Sequence, residues 1–181
     1  MPDIPAASLK YEDLVEKYKA FSKGQRDYYN SCVNFAFNIL KQVEAQTEAP
    51  RSYTVSEDRT SWEEPYVSLM AVEGGESHKV KHPREAVNFD DEGYFHFAVY
   101  ITLEHGPQSW PKNKFPVKLR CFKAADRITV EVHEQTETFS AADEDKAVSF
   151  AADHIVLAIA SFLDTPVEDM VQTQKVGFGF I

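Results

Sequence analysis

Residues 94–133 contain three successive runs in which apolar and polar side chains alternate, and no other feature of the chain restricts its fold as strongly. In the first run Phe95, Phe97, Val99, Ile101 and Leu103 fall on one side. Tyr94, His96, Ala98, Tyr100, Thr102 and Glu104 fall on the other. A repeat of two is what a strand with one buried face requires; a helix would scatter the same residues around its circumference. A loop with Gly106, Pro107 and Pro111 follows. The second run then places Phe115, Val117, Leu119 and Cys121 inward, with Lys118, Arg120 and Phe122 outward. Ala124-Ala125-Asp126 turns the chain. The third run places Ile128, Val130 and Val132 inward and Arg127, Thr129, Glu131 and His133 outward. Consecutive strands with short links predict an antiparallel meander. Two further strands are expected, a short one at Ser52–Val55 and one at Tyr66–Val72, ended by Gly74-Gly75.

Helical periodicity flanks this region. Ser8 can cap a first helix with Glu12 and Asp13 in its opening turns, where acidic groups suit the helix dipole. Gly24 is expected to kink or split it. From Gln25 to about Ala45 a wide apolar arc runs from Phe35 through Tyr28, Ile39, Cys32 and Val43 to Phe37. A second helix is expected from near Ser140 to about Leu163, stopped by Thr165-Pro166. Its second half, Ile155 to Leu163, is apolar nearly all round.

These patterns predict one α+β domain over 1–181: a four- to five-stranded antiparallel sheet, covered on one face by the N-terminal and C-terminal helices. Residues 1–50 form the N-terminal helical region. Residues 51–139 hold the sheet, with 76–92 as a long charged surface loop. Residues 140–181 hold the second helix and an apolar tail. The 13% aromatic content, with 13 Phe and 8 Tyr, excludes a disordered polar protein. Cys32 and Cys121 both lie on apolar faces, and no export signal is evident at Met1–Ser8. The expected setting is therefore cytoplasmic, with both thiols reduced. The stretch Ala147–Leu163 contains Asp153 and His154 and is expected to be too short and polar for a membrane span.

The 29 acidic side chains outnumber the 19 basic ones, which disfavours nucleic acid as a partner. Segment 105–123 is the exception, with five basic residues and no acidic one. Internal pairing with the acidic segments on either side is the expected use of those charges. His78 and His82 have a spacing that a helix could turn toward a metal, but Gly74-Gly75 and Pro83 argue against a helix there. No metal and no cofactor is expected, and no catalytic motif is present.

Two functions remain. The first is a non-catalytic interaction protein, of inhibitor, immunity or chaperone type, that binds a protein partner and forms a homodimer. Its candidate contacts are the Asn30, Asn34 and Asn38 ladder, Val156 and Phe162, and Phe178 and Phe180 in the tail. The alternative is a small anionic-ligand binder or enzyme on the polar sheet face. Neighbouring strands there are expected to bring Tyr100 level with Arg120, and Thr102 level with Lys118. His96, Glu131 and His133 lie close by.

Overall fold

The computed structural model describes residues 10–57, 59–106 and 109–166. Helix α1 (Tyr11–Thr47) runs without a break through Gly24, so the helix is not split there. A Cβ at Gly24 would meet open space, so no neighbour requires a glycine there. Ser8 lies outside the described residues. The first turn is tied instead by the Lys10 N–H, which donates to Asp13 at 2.9 Å. Strands β1 (Ser52–Glu57) and β2 (Thr60–Pro65) form a separate antiparallel hairpin. The main sheet has β3 (Val67–Glu73), β4 (Glu76–Lys79), β5 (Asn88–Phe89), β6 (Phe95–Leu103), β7 (Asn113–Lys123), β8 (Arg127–Val132) and β9 (Gln135–Ser140). Helix α2 (Glu144–Leu163) is the last element among the described residues, and the Ser140 hydroxyl accepts from the Ala142 N–H just ahead of it.

The class is α+β, as the patterns require. The seven-stranded sheet has the order β4-β3-β6-β7-β8-β9, with β5 also on β6, and every pairing is antiparallel. It is wider than the expected four or five strands. The segment 76–92 is not one loop but β4, a 3-10 turn at Pro83–Ala86 and β5. Gly74 and Gly75, with φ of 57° and 85°, make the tight turn from β3 to β4. Two successive positive φ angles are what a two-residue hairpin turn demands, and glycine supplies them without strain.

The inward residues of the three alternating runs are buried as the pattern predicts, except Leu103, which is half-buried at the end of its strand. Phe95, Phe97, Val99, Leu119, Cys121, Ile128 and Val130 join Phe35, Ile39 and Val43 of α1 and Ala147, Ala151 and Ile155 of α2 in one core. Alanines on α2 let that helix approach both the sheet and α1 closely. The run Ala141–Leu163 is long and apolar enough, by length and composition, to cross a bilayer, contrary to expectation. In the fold its apolar face is core: Ala147, Ala151, Ala152 and Ile155 are fully buried.

Burial of α1 begins only in its second half, at Cys32. Before Tyr28 the helix stands clear of the body, and Tyr11, Leu14, Tyr18 and Phe21 are 80%, 51%, 68% and 61% exposed. Emptying a fully buried ring leaves a cavity. Phe97→Ala is therefore expected to lower unfolding stability by about 3–5 kcal/mol, measured in urea melts.

Candidate functional site

The register of the sheet sorts the outward residues differently from the expected rows. His96 stands opposite Arg120, and Arg120 opposite Glu131. Tyr100 stands between Ser68 and Pro116, and Thr102 opposite Lys114. Tyr100 is thus four residues along β6 from the Arg120 row rather than level with it. The offset is set where β6 and β7 begin to pair, at Leu103 and Asn113. Lys118 stands opposite Ala98 and donates to the backbone carbonyl of Gly75. His133 occupies the exposed turn after β8, at φ 55°.

Arg120 is enclosed by carboxylates. Its Nε and Nη2 reach Asp90 at 3.3 and 3.2 Å, Nη2 also meets Glu92, and Nη1 reaches both oxygens of Glu131 at 3.4 Å. Its guanidinium carbon stands 3.6 Å from the Tyr94 ring centre. Asp90 also meets His96 Nε2 at 2.7 Å and accepts from the Tyr94 N–H at 2.9 Å. Burial raises the Asp90 carboxyl, but His96, the Tyr94 amide and Arg120 outweigh it and leave the group at about 2. A guanidinium has a fixed fork of donors. Here that fork is spent on three carboxylates, so the cluster clamps the 90–94 turn to β7 and offers little to an outside anion.

The outer face is also not wet along its length. Ala98, Tyr100 and Thr102 are buried, at 0%, 2% and 2% exposure. The hairpin β1–β2 covers Tyr100 and Thr102, while Ala98 packs with Met70 and Tyr100. Its inward side carries Tyr53 and Val55 from β1, paired with Glu64 and Trp62 from β2. Glu64 is the centre of this layer. Its Oε1 accepts from Trp62 Nε1 at 3.0 Å and from Lys79. Its Oε2 accepts from Lys114 at 2.7 Å and from the Tyr53 hydroxyl at 3.2 Å. Burial pushes this carboxyl up; hydrogen bonds from Lys114, Lys79 and Trp62 more than reverse the effect and hold it at about 2. Burial likewise pushes the Tyr100 hydroxyl up to about 12, so it stays protonated.

Between hairpin and sheet lies a cavity of about 520 Å³. Tyr53, Met70, Tyr100 and Trp110 give it apolar walls, and Glu64, Lys79, Lys112 and Lys114 its charges. The Lys112 ammonium is bonded to Glu104 and to the Tyr66 hydroxyl, and lies 4.7 Å from the Tyr53 ring centre and 5.8 Å from that of Trp110. Ser77 also lines the cavity, and its hydroxyl is buried without a hydrogen-bond partner among the described residues.

Of the ligand residues expected from sequence, His96, Arg120 and Glu131 meet in the clamp, Tyr100 enters the cavity wall, and Lys118 and His133 stand apart. The cavity residues Tyr53, Glu64, Lys79, Lys112 and Lys114 were not anticipated as a group. Their signal is the alternation Tyr53-x-Val55 and Trp62-x-Glu64, too short to stand out beside the long runs. Of the expected contact residues, Asn34 and Asn38 are exposed, while Asn30 and Val156 are half-buried. Phe162 packs inside the fold, 5.9 Å from the Phe115 ring, and Phe178 and Phe180 lie outside the described residues. Among the described residues no group of three or more His, Cys, Asp or Glu could hold a metal ion. Both thiols are buried and free, and burial pushes Cys32 up to about 11.

The Glu64 ties make stability depend on acid. The folded carboxyl titrates near 2 against an ordinary 4.5, so its contribution is complete above 4.5 and is lost as pH falls from there through about 2. Urea midpoints of the parent protein are expected to fall over that window more steeply than those of Glu64→Gln, which starts lower at neutral pH. Compared with protein-family models, curated proteins and solved structures, the chain has no significant match.

Proposed function

We propose that the chain is a binding protein for a small anion with a flat apolar body, held between the β1–β2 hairpin and the outer face of the sheet. One observation carries the reading: a largely apolar, aromatic-walled cavity of about 520 Å³ in which two lysines, Lys79 and Lys114, share the single carboxylate of Glu64. That volume is in the usual range for small-molecule sites, roughly 300–1,000 Å³. Lys79 and Lys114 share Glu64, so one ammonium can turn to a ligand anion while the other keeps Glu64 neutralised. Tyr53, Tyr100 and Trp110 provide rings for a flat body to pack against.

Binding without turnover is what these groups support. The cavity's carboxylate is held ionised at about 2, far from the range in which a general acid or base works at neutral pH.

Both tryptophans of the chain report on this region, since Trp110 lines the cavity and Trp62 bonds Glu64. Titration of the intrinsic fluorescence with aromatic carboxylates, aryl phosphates and aliphatic carboxylates tests the proposal. Aromatic anions are expected to bind best. Lys114→Gln is expected to weaken them by about tenfold or more, the worth of one charge-assisted hydrogen bond, with circular dichroism unchanged. Absence of binding by every anion in the set overturns the proposal.

A further inference from the structure

The space under the hairpin does not end at Glu64. A groove of about 460 Å³ runs between β2 and residues 80–83, beside Ser68 and Tyr100 of the sheet. Cavity and groove have Glu64, Lys79 and Tyr100 in common, so they adjoin where Lys79 pairs with Glu64. The Lys79 side chain is 59% exposed, while Lys114 holds the other carboxylate oxygen. A turn of the Lys79 ammonium therefore joins the two spaces and leaves Glu64 paired.

The groove adds a cation that the cavity alone does not use. Lys81 lines it, is exposed, and has no ion pair among the described residues. It follows Lys79 by two residues, so their Cα atoms stand within about 7 Å. The run 78–84 holds His78, Lys79, Lys81, His82 and Arg84 and no acidic residue, in a chain whose net charge is -10. Such a local surplus draws anions toward it. The two carboxylates that line the groove are already committed. Glu64 has its ammonium groups. Glu63 accepts from the Ser52 and Thr54 hydroxyls at 2.7 and 2.6 Å, on the side of the hairpin turned away from Tyr53 and Glu64.

We infer that the ligand of this site is an aromatic diphosphate, either an aryl or a nucleoside diphosphate, with its ring in the cavity and its phosphoryl groups laid past Lys79 into the groove. This rests on the reading of the cavity as an anion site and narrows it to one class. The ring packs among Tyr53, Tyr100 and Trp110. The first phosphoryl group takes the Lys79 ammonium, and the second lies between Lys79 and Lys81. A ligand with a single anionic group satisfies Lys79 and leaves Lys81 unused. Lysine meets phosphate as a point charge, so two ammonium groups in succession suit two phosphoryl groups in succession. Each phosphoryl group adds negative charge and several acceptor oxygens at once, which a single carboxylate does not.

Calorimetric titration of the full chain with two matched pairs tests this: phenyl phosphate against phenyl diphosphate, and adenosine monophosphate against adenosine diphosphate. In at least one pair the diphosphate is expected to bind about tenfold or more tighter, the worth of a second charge-assisted contact. Lys81→Gln is expected to remove most of that preference. Lys41→Gln, which takes the same charge from an exposed position on α1, is expected to leave it as in the parent. Inorganic pyrophosphate carries the charge without the ring and is expected to bind more weakly than the preferred diphosphate. Monophosphates that bind with no gain from the second phosphoryl group overturn the inference and leave the cavity reading standing. A preference that Lys81→Gln does not reduce, or that Lys41→Gln reduces equally, overturns it as well, and so does pyrophosphate that binds as tightly as the diphosphates. If none of the four aromatic ligands binds, the inference falls, and the cavity reading falls with it only when the aromatic carboxylates also fail.

Discussion

The buried Glu64 carboxylate is the tie on which the second layer of this protein depends. A two-stranded hairpin is at best marginally stable by itself. The β1–β2 hairpin bonds to no strand of the main sheet, so side chains must hold it. Tyr53 and Val55 give it some apolar hold, but Glu64 reaches furthest, to Lys79 on β4 and Lys114 on β7. Taking a carboxylate out of water costs several kcal/mol, and pairing offsets this only when its lone pairs are filled. Here Trp62, Lys79, Tyr53 and Lys114 fill them. The hairpin is thereby positioned above β3, β6 and β7, with the cavity beneath it.

Arg120 and Glu64 show two uses of the same kind of cluster. Around Arg120 the anions are in excess, the central group is partly exposed, and its guanidinium stacks on Tyr94. Every partner belongs to the chain itself, so the cluster shapes a turn. Around Glu64 the cations are in excess, the central group is buried, and apolar walls surround it. A surplus of one sign in a partly desolvated space is a condition for attracting the opposite sign. Sequence alone pointed to Arg120, because arginine on an outward strand face is conspicuous.

The inward face of the meander was legible because Phe95 to Leu103 repeats the alternation long enough to exclude a helix. The helices were legible for the same reason at their own period. The outward face was not, because its fate depends on what crosses it. Tyr100 and Thr102 suit a wet face as well as a buried one, and the hairpin that buries them comes from residues about forty places earlier in the chain. Register was also beyond the pattern. Alternation says which side a residue faces and nothing of how far one strand slides past the next. That slide carried Tyr100 away from Arg120 and into the cavity wall. Strands β4 and β5 were hidden by their shortness, since four residues and two carry no measurable period.

Tyr28 marks the place where α1 meets the body. Its hydroxyl donates to the Lys123 carbonyl at 3.0 Å, and its ring lies 5.9 Å from that of Phe89. Geometrically α1 is a single rod, but its two halves answer to different energies. Beyond Tyr28 a backbone hydrogen bond opens only when the core does. Before it, each turn is held by its own propensity, and short unsupported helices are marginal in water. Amide exchange along this one helix would therefore register two thermodynamic units, with the boundary set by a tyrosine and not by any break in the helix.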